Sequence, residues 1–288
     1  TWTLSTVAGL NLVGVSTLGV AASGSNDFSL GFLALGTADV GVGLEVASNE
    51  FSSATLASAV QVPLTVTVVD QYGNSVSGAT VTFAVASGGG VLSVTSADSL
   101  ESGVATVPSG VWTLGSTVGT NNNTLDVFLS GTSTFVTFTA SADPDVASQV
   151  EAAVDTDRGS ATVGTSVGAF SVTVSDAYGN TVSGATVTVV VSGGGGDGFV
   201  STTFAVSGVN GVATFANWSM GTTVGTNTAV VYLEGTSTSA TFTATGTQGD
   251  SVLISIASGS GQNATVSATV ASAITALVTD QYGNPFDG

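Results

Sequence analysis

Carboxylates are the side chains of this sequence that could do the most chemistry, and three of them recur at one place in a repeated motif. Asp70, Asp176 and Asp280 each open the pattern Asp-x-Tyr-Gly-Asn. A carboxylate at a repeated position near a domain junction could bind Ca²⁺. Alternatively, it accepts backbone N–H groups and caps the Tyr-Gly-Asn turn. The turn cap is favoured, because no second carboxylate follows within the next few residues.

A second group of acids lies close together farther along the sequence. Asp143, Asp145, Asp155 and Asp157 offer hard oxygen atoms, the ligands that Ca²⁺ prefers. They are therefore candidates for a calcium site that would stiffen a joint between domains, and calcium is the one cofactor considered. Solvated linker acids are the favoured alternative. Arg158 stands beside Asp155 and Asp157 and is expected to form a salt bridge with them.

Three aromatic side chains are candidates for an interface. Phe128 and Phe135 flank the Ser130–Ser133 turn symmetrically, so in a hairpin they face each other across two strands. Such a pair either stabilises its own sheet or docks a neighbouring molecule. Docking is favoured, because the next repeat keeps Tyr232 but has Ser239 opposite it. By parity, the inward set of the same hairpin is Leu125, Val127, Leu129, Val136 and Phe138.

Two tryptophans have a similar pair of interpretations. Trp112 and Trp218 recur at one position of the repeat. They could form stacking platforms for sugars, but buried residues of a core or a domain junction are the favoured interpretation.

Most catalytic chemistry is excluded by composition. The sequence has no Cys, no His and no Lys, and its only cationic side chain is Arg158. These absences remove Ser–His–Asp and Cys–His nucleophile systems, Schiff-base lysines, thiolate or histidine metal sites and Walker-type phosphate loops. A glycosidase-like carboxylate pair is the remaining formal route. We predict that the segment is not an enzyme.

Charge and hydropathy limit the classes of partner that the chain is expected to bind. The net charge of −18 argues against nucleic acid, whose binding depends on Lys and Arg. Only 7% of residues are charged while 43% are hydrophobic, the reverse of a disordered acidic tail. The most apolar windows are interrupted by Gly, Ser, Thr and Asn, so no transmembrane helix is predicted. The chain is therefore expected to fold and not to be embedded in a membrane.

Internal repetition determines the predicted architecture. Residues 70–83 recur at 176–189 and begin again at 280, residues 112–121 recur at 218–227, and residues 130–140 recur at 234–244. Within a repeat, Leu64, Val66 and Val68 alternate with Thr65 and Thr67, the period of a half-buried strand. About seven short strands in about 105 residues predict an immunoglobulin-like (Ig-like) β-sandwich.

The predicted fold is thus all-β, with tandem Ig-like sandwich repeats forming an extended rod. The predicted divisions are a partial or divergent N-terminal β region at 1–58, Ig-like repeats at 59–147 and 148–249, and the start of a further repeat at 250–288.

The repeat motifs resemble those of a known family. Asp-x-Tyr-Gly-Asn-x-Val-Ser-Gly-Ala-Thr-Val-Thr, the later Gly-Val-Ala-Thr (Gly103–Thr106 and Gly211–Thr214) and the closing Thr-Phe-Thr-Ala are similar to bacterial Ig-like repeats of group 1, those of invasin and intimin. The resemblance covers residues 59–250 and the last few residues. It implies rod-like stalks and transfers no catalytic residues. The segment Leu12–Ser52 has no good counterpart in the family pattern.

The repeats are out of phase with the two ends of the sequence. Trp2 matches the position of Trp112 and Trp218, and Asp280 opens a motif close to the last residue. Either the sequence is an excerpt of a longer array, or half-domains are completed by strands of a neighbouring molecule.

The predicted function is that of an extracellular or cell-surface structural protein, a repeat stalk, filament or surface-layer component whose copies associate through β-strand and apolar contacts. The alternative is the stalk of a cell-surface adhesin whose ligand-binding domain lies outside this segment.

Overall fold

The computed structural model of the chain describes residues 1–16, 29–48 and 51–286. Within these ranges every regular element is a β-strand. None of the described segments forms a helix long and apolar enough to cross a membrane. The chain divides into two compact units, Thr1–Asp143 and Pro144–Gly288.

The first unit contains twelve strands in its described residues. They are β1 (Gly9–Ser16), β2 (Ser29–Gly36), β3 (Gly43–Val46), β4 (Phe51–Thr55), β5 (Leu64–Val69), β6 (Thr80–Ser87), β7 (Val91–Leu92), β8 (Ser96–Asp98), β9 (Val104–Val107), β10 (Trp112–Thr113), β11 (Gly119–Leu129) and β12 (Phe135–Asp143).

Two sheets of this unit form the first sandwich. One has the strand order β3-β5-β9, and the other has the order β4-β12-β11-β6-β8. β4 runs parallel to β12, and the other pairs are antiparallel. Val66 and Val68 from the smaller sheet and Leu125 and Phe138 from the larger one are buried in one core. The alternation of Val and Thr along β5 places every second side chain in this core.

The second unit contains another twelve strands in its described residues. They are β13 (Gln149–Ala152), β14 (Asp157–Thr162), β15 (Phe170–Ser175), β16 (Thr186–Gly193), β17 (Phe199–Val200), β18 (Phe204–Val206), β19 (Val212–Phe215), β20 (Trp218–Ser219), β21 (Gly225–Leu233), β22 (Ser239–Thr247), β23 (Leu253–Ser258) and β24 (Thr275–Thr279).

The second sandwich repeats the topology of the first. Its sheets have the orders β13-β15-β19 and β14-β22-β21-β16-β18. β14 again runs parallel to β22, as β4 does to β12. A short pair, β17 with β20, corresponds to β7 with β10. The chain is therefore all-β and consists of tandem Ig-like β-sandwich repeats, as the sequence predicts.

Strand β3 and the first residues of β4 lie within Leu12–Ser52, the segment that has no counterpart in the family pattern. β3 pairs with β5, and β4 pairs with β12, so residues 43–46 and 51–55 contribute to the first sandwich although the predicted repeat begins at 59. Their counterparts by topology are β13 and β14. Pairing uses main-chain groups, so two strands can take one place in a sheet without sharing a side-chain pattern. Residues 17–28 and 49–50 of the segment lie outside the described residues.

Two further hairpins lie outside the sandwiches. β1 pairs with β2, and β23 pairs with β24. Their apolar side chains are largely exposed, including Leu12 and Phe32 in the first hairpin and Ile254 and Leu277 in the second.

Candidate functional site

Asp70 caps the turn that follows β5. Its Oδ1 accepts the N–H groups of Tyr72 at 2.8 Å and Asn74 at 2.9 Å. Its Oδ2 accepts the N–H of Asp39 at 3.0 Å, from the segment that leads into β3. Gly73, between Tyr72 and Asn74, has φ +80°, a conformation that glycine adopts without steric cost. Both oxygens of the carboxylate are therefore engaged by main-chain donors.

The same geometry recurs at the other two motifs, and we call residues 70–74, 176–180 and 280–284 the Asp–Asn loops. Asp176 accepts the N–H groups of Tyr178 at 2.9 Å, Asn180 at 2.9 Å and Asp145 at 3.2 Å. Asp280 accepts those of Tyr282, Asn284 and Gly249, at 2.9, 2.9 and 3.2 Å. In each of the three described loops the aspartate caps its own turn, as the favoured interpretation predicts. It also connects that turn to the segment that enters the repeat.

Hydrogen bonding keeps these carboxylates ionised. Burial raises the pKa of Asp70, but the bonds from the Asn74 side chain and from the N–H groups of Asp39, Asn74 and Tyr72 outweigh it and lower the pKa to about 2. The pKa values of Asp176 and Asp280 are lowered in the same way, with burial again opposing the hydrogen bonds.

The calcium candidates are divided between the two units. Asp143 ends β12 in the first unit, whereas Asp145, Asp155 and Asp157 belong to the second. The Oδ1 of Asp145 accepts the N–H of Val146 at 2.8 Å, and that of Asp157 accepts the N–H of Gly159 at 2.9 Å. In the described ranges, no three acidic side chains are grouped so that they could hold a metal ion. A calcium site at these residues stays a prediction.

Arg158 has a different partner from the one that its sequence neighbours suggest. Its Nη2 donates to the carbonyl oxygen of Ala169 at 2.8 Å. The expected bridge to Asp155 and Asp157 is not among the contacts of the described residues. The register of β14 shifts between Asp157 and Ser160, and the Asp157 carboxylate accepts the N–H of Gly159 at 2.9 Å within this irregular turn.

The predicted aromatic pair is formed. Phe128 and Phe135 are partners in the β11–β12 register, and their ring centroids are 5.4 Å apart at an interplanar angle of 34°. Phe135 is 52% exposed. Four of the five inward residues of the hairpin are buried and Val136 packs partly buried against the same core, as parity predicts. Docking of a neighbour at this pair stays a prediction.

Tyr232 lies in the corresponding place of the second sandwich, on β21. Its partners across the sheet are Ser239 on β22 and Thr188 on β16. Thr188 in turn pairs with Phe204 on the edge strand β18. Phe204 is 61% exposed, a second outward aromatic that sequence reasoning missed. Its signal is weak, because β18 has only three residues and alternation over three residues is hard to recognise.

Both repeated tryptophans are core residues. Trp112 and Trp218 are 1% and 0% exposed, so neither ring has a free face on which a sugar could stack. The Trp218 ring packs edge-on against Phe170, with centroids 5.8 Å apart. Trp2 differs in being 43% exposed.

Comparisons with known proteins give similar folds at low identity. No family model matches the sequence, and no curated protein sequence matches it. Among solved structures, the Escherichia coli adhesin FdeC is 21% identical with a TM-score of 0.43, covering 88% of this chain and 78% of its own. InvD of Yersinia pseudotuberculosis is 19% identical with a TM-score of 0.45, covering 85% and 71%. Domains 4 and 5 of the S-layer protein SbsC are 20% identical with a TM-score of 0.31, covering 71% and 98%. Such values do not establish family membership or a shared function.

Proposed function

We propose that this chain is a non-enzymatic structural segment of an extracellular or cell-surface repeat protein, of the group 1 bacterial Ig-like type. The observation that carries the proposal is the repeated hydrogen bond between the buried aspartate of an Asp–Asn loop and the entry segment of its repeat. The donors are the N–H groups of Asp39, Asp145 and Gly249. A linker tied at the same place in each repeat enters its sandwich in a fixed direction, which is what a stiff spacer requires.

The composition supports an exposed, long-lived location. Trypsin-like proteases cleave after Lys and Arg, and this sequence offers them one such residue. Lysine-dependent cross-links between subunits are excluded, because the sequence has no Lys. The names of the matched adhesin and S-layer structures agree with a surface role but do not carry the proposal.

Copies of the chain are the partners that its outer surfaces fit best. With a net charge of −18 and one cationic side chain, opposite charges contribute little to contacts between copies. The contacts therefore form through apolar side chains and strand edges, with Phe128, Phe135 and Tyr232 as the interface candidates. All three lie outward on the five-stranded sheets of their sandwiches.

Negative-stain electron microscopy of the native material, with and without a calcium chelator, tests this function. We expect regular filaments or sheets that survive chelation, because apolar contacts and strand pairing do not depend on a metal. Assemblies that dissolve on chelation would instead assign the contacts to calcium. Isolated single molecules in both conditions would contradict self-assembly and favour the stalk of an adhesin.

A further inference from the structure

Asn74 makes two hydrogen bonds that leave its own loop. Its Nδ2 donates to the carbonyl oxygen of Thr6 at 2.8 Å, and its Oδ1 accepts the N–H of Ala8 at 2.8 Å. Thr6 and Ala8 follow Trp2, the marker of the preceding repeat, whereas Asn74 belongs to the first sandwich. One side-chain amide therefore connects two successive repeats of the first unit.

Asn284 makes the same two bonds at the other end of the chain. Its Nδ2 donates to the carbonyl oxygen of Thr222 at 2.8 Å, and its Oδ1 accepts the N–H of Val224 at 3.1 Å. Thr222 and Val224 follow Trp218 at the same spacing at which Thr6 and Ala8 follow Trp2. We call residues 2–8 and 218–224 the Trp loops. Two independent pairs of loops thus share one geometry.

The contact recognises the main chain and not the side chains of the Trp loop. A primary amide presents one donor and one acceptor side by side, which is the pattern of a peptide group. Paired with a carbonyl and an N–H two residues apart, it closes a ring like that between neighbouring strands. This explains why Ala8 and Val224 can occupy the same position.

The Asn284 amide is held in place from its own side. Its Nδ2 also donates to Oδ2 of Asp280 at 2.8 Å, and Asn284 is only 6% exposed. A buried, pre-oriented amide loses little side-chain entropy when it binds, and water competes poorly for its bonds.

The Trp loop is equally well fixed. Asp197 accepts the N–H of Thr222 at 2.9 Å and its hydroxyl at 2.5 Å, and the fully buried Asn227 accepts the N–H of Gly221 at 2.9 Å. These bonds hold the loop in the conformation in which the Thr222 carbonyl and the Val224 N–H bind the Asn284 amide.

Tyr282 adds a steric contact to the same joint. A Cβ on Gly164 would lie 2.4 Å from the Tyr282 hydroxyl oxygen, so the Tyr ring occupies the space that a larger residue would fill.

From these contacts we infer that the Asp–Asn loops at 70–74 and 280–284 are docking surfaces, that the partner of each is the Trp loop of the preceding repeat in the same unit, and that the asparagine is the latch that fixes the angle between them. The partner is a second repeat of the same type, recognised through its backbone. The inference holds equally for a filament and for an adhesin stalk, so it does not depend on the proposed function.

Distance measurements between spin labels test the latch in the full chain. The sequence has no Cys, so Ser237→Cys and Ser255→Cys would place two labels on opposite sides of the Asn284 joint. We expect one narrow distance distribution in the parent chain. Asn284→Ala should broaden it about twofold or more, because both bonds across the joint are lost. Asn210→Ala is the matched control, since among the described residues the Asn210 side chain has one hydrogen bond, which it accepts from the N–H of Val212 in its own turn.

Hydrogen exchange separates the latch from folding of its loop. The N–H of Tyr282 is bonded to Asp280 and does not need the Asn284 side chain, so its protection should persist in Asn284→Ala. If that protection is lost, the distance distribution of Val224→Pro tests the latch instead. This variant removes the N–H that donates to Asn284 and leaves the sequence of the Asp–Asn loop unchanged. An unchanged distance distribution in Val224→Pro, or in Asn284→Ala with the loop intact, would overturn the inference.

Discussion

The two sandwiches share a topology but differ along one row of their outer faces. In the first, the row that crosses β8, β6, β11 and β12 reads Ser96, Thr82, Phe128 and Phe135. In the second, the equivalent row across β18, β16, β21 and β22 reads Phe204, Thr188, Tyr232 and Ser239.

Only Thr is kept in this row, and the aromatic pair of the first sandwich is separated in the second. In all three Asp–Asn loops, in contrast, the capping carboxylate accepts N–H groups from the second and fourth residues after it and from the entry segment. The hydrogen bonds of the Asp–Asn loops are therefore maintained from repeat to repeat, whereas the outer face diverges and can give each repeat its own contacts.

The two cores also differ in the side chains that fill them. Phe170 and Phe215 face each other in the second sandwich, where Leu64 and Val107 face each other in the first. Phe170 lies 5.1 Å from Phe215, 4.8 Å from Phe242 and 5.8 Å from Trp218, measured between ring centroids. The second core thus centres on one aromatic ring, while the first is mainly aliphatic.

The largest effect is expected from removing that ring. Phe170→Ala should destabilise the second sandwich by about 3–5 kcal/mol, because it leaves a cavity among three aromatic neighbours. Urea-dependent hydrogen exchange at Val172 and Val66 would report the two sandwiches separately. The exposed Phe204→Ala serves as control and should cost far less. Equal loss of protection at Val66 would contradict separate cores.

Acid should weaken the first sandwich through Asp70. Its pKa of about 2 in the folded chain is below the value of about 3.9 for an unfolded aspartate. Its stabilising contribution is therefore complete above pH of about 4 and is lost as the pH falls through about 2. Urea unfolding along a pH series should show this loss, and Asp70→Asn should reduce the pH dependence. An identical pH profile in the variant would refute the assignment.

Exchanging one residue of the outer face tests whether the aromatic pair contributes to self-association. Phe135→Ser recreates the second sandwich's pair and should cost about 0.5–1.5 kcal/mol, because an aromatic contact is lost. It should also weaken self-association, measured by sedimentation velocity. The reverse change, Ser239→Phe, should restore an aromatic pair beside Tyr232 and strengthen association. Unchanged sedimentation in both variants would confine the pair to stabilising its own sheet.

The smallest effect is expected where the two sandwiches differ in backbone strain. Ala57 has φ +53°, whereas Gly164, at the equivalent place after β14, has φ +74°. Ala57→Gly should relieve strain in the folded state by about 0.5–1 kcal/mol. The net gain in the free energy of unfolding should be smaller, because glycine raises the conformational entropy of the unfolded chain. Urea midpoints would measure it, with Ala161→Gly as a strand control that should destabilise instead.

Much of this fold follows from sequence alone. The alternation in Leu64–Val68 and the spacing of Asp70, Asp176 and Asp280 predict strands, turns and repeats, because local patterns determine them. The facing of Phe128 and Phe135 follows from counting residues around a turn.

Other features could not be predicted, because they depend on partners distant in sequence. β3 and β4 find their places through main-chain pairing, for which side chains leave no clear pattern. Asn74 and Asn284 stand out as motif residues, yet their partners are a carbonyl and an N–H at least sixty residues away. Arg158 likewise binds a carbonyl rather than the acids beside it.

Spin-label distances between Ser237→Cys and Ser255→Cys over a salt series test whether the tied linker and the Asn284 latch fix the orientation of the repeats within the second unit. In a chain with a net charge of −18, a flexible joint would be opened by self-repulsion at low salt and would close as salt screens the charges. A fixed joint predicts one narrow distance distribution from low to high salt. A mean distance that shrinks steadily as salt is added would contradict the latch.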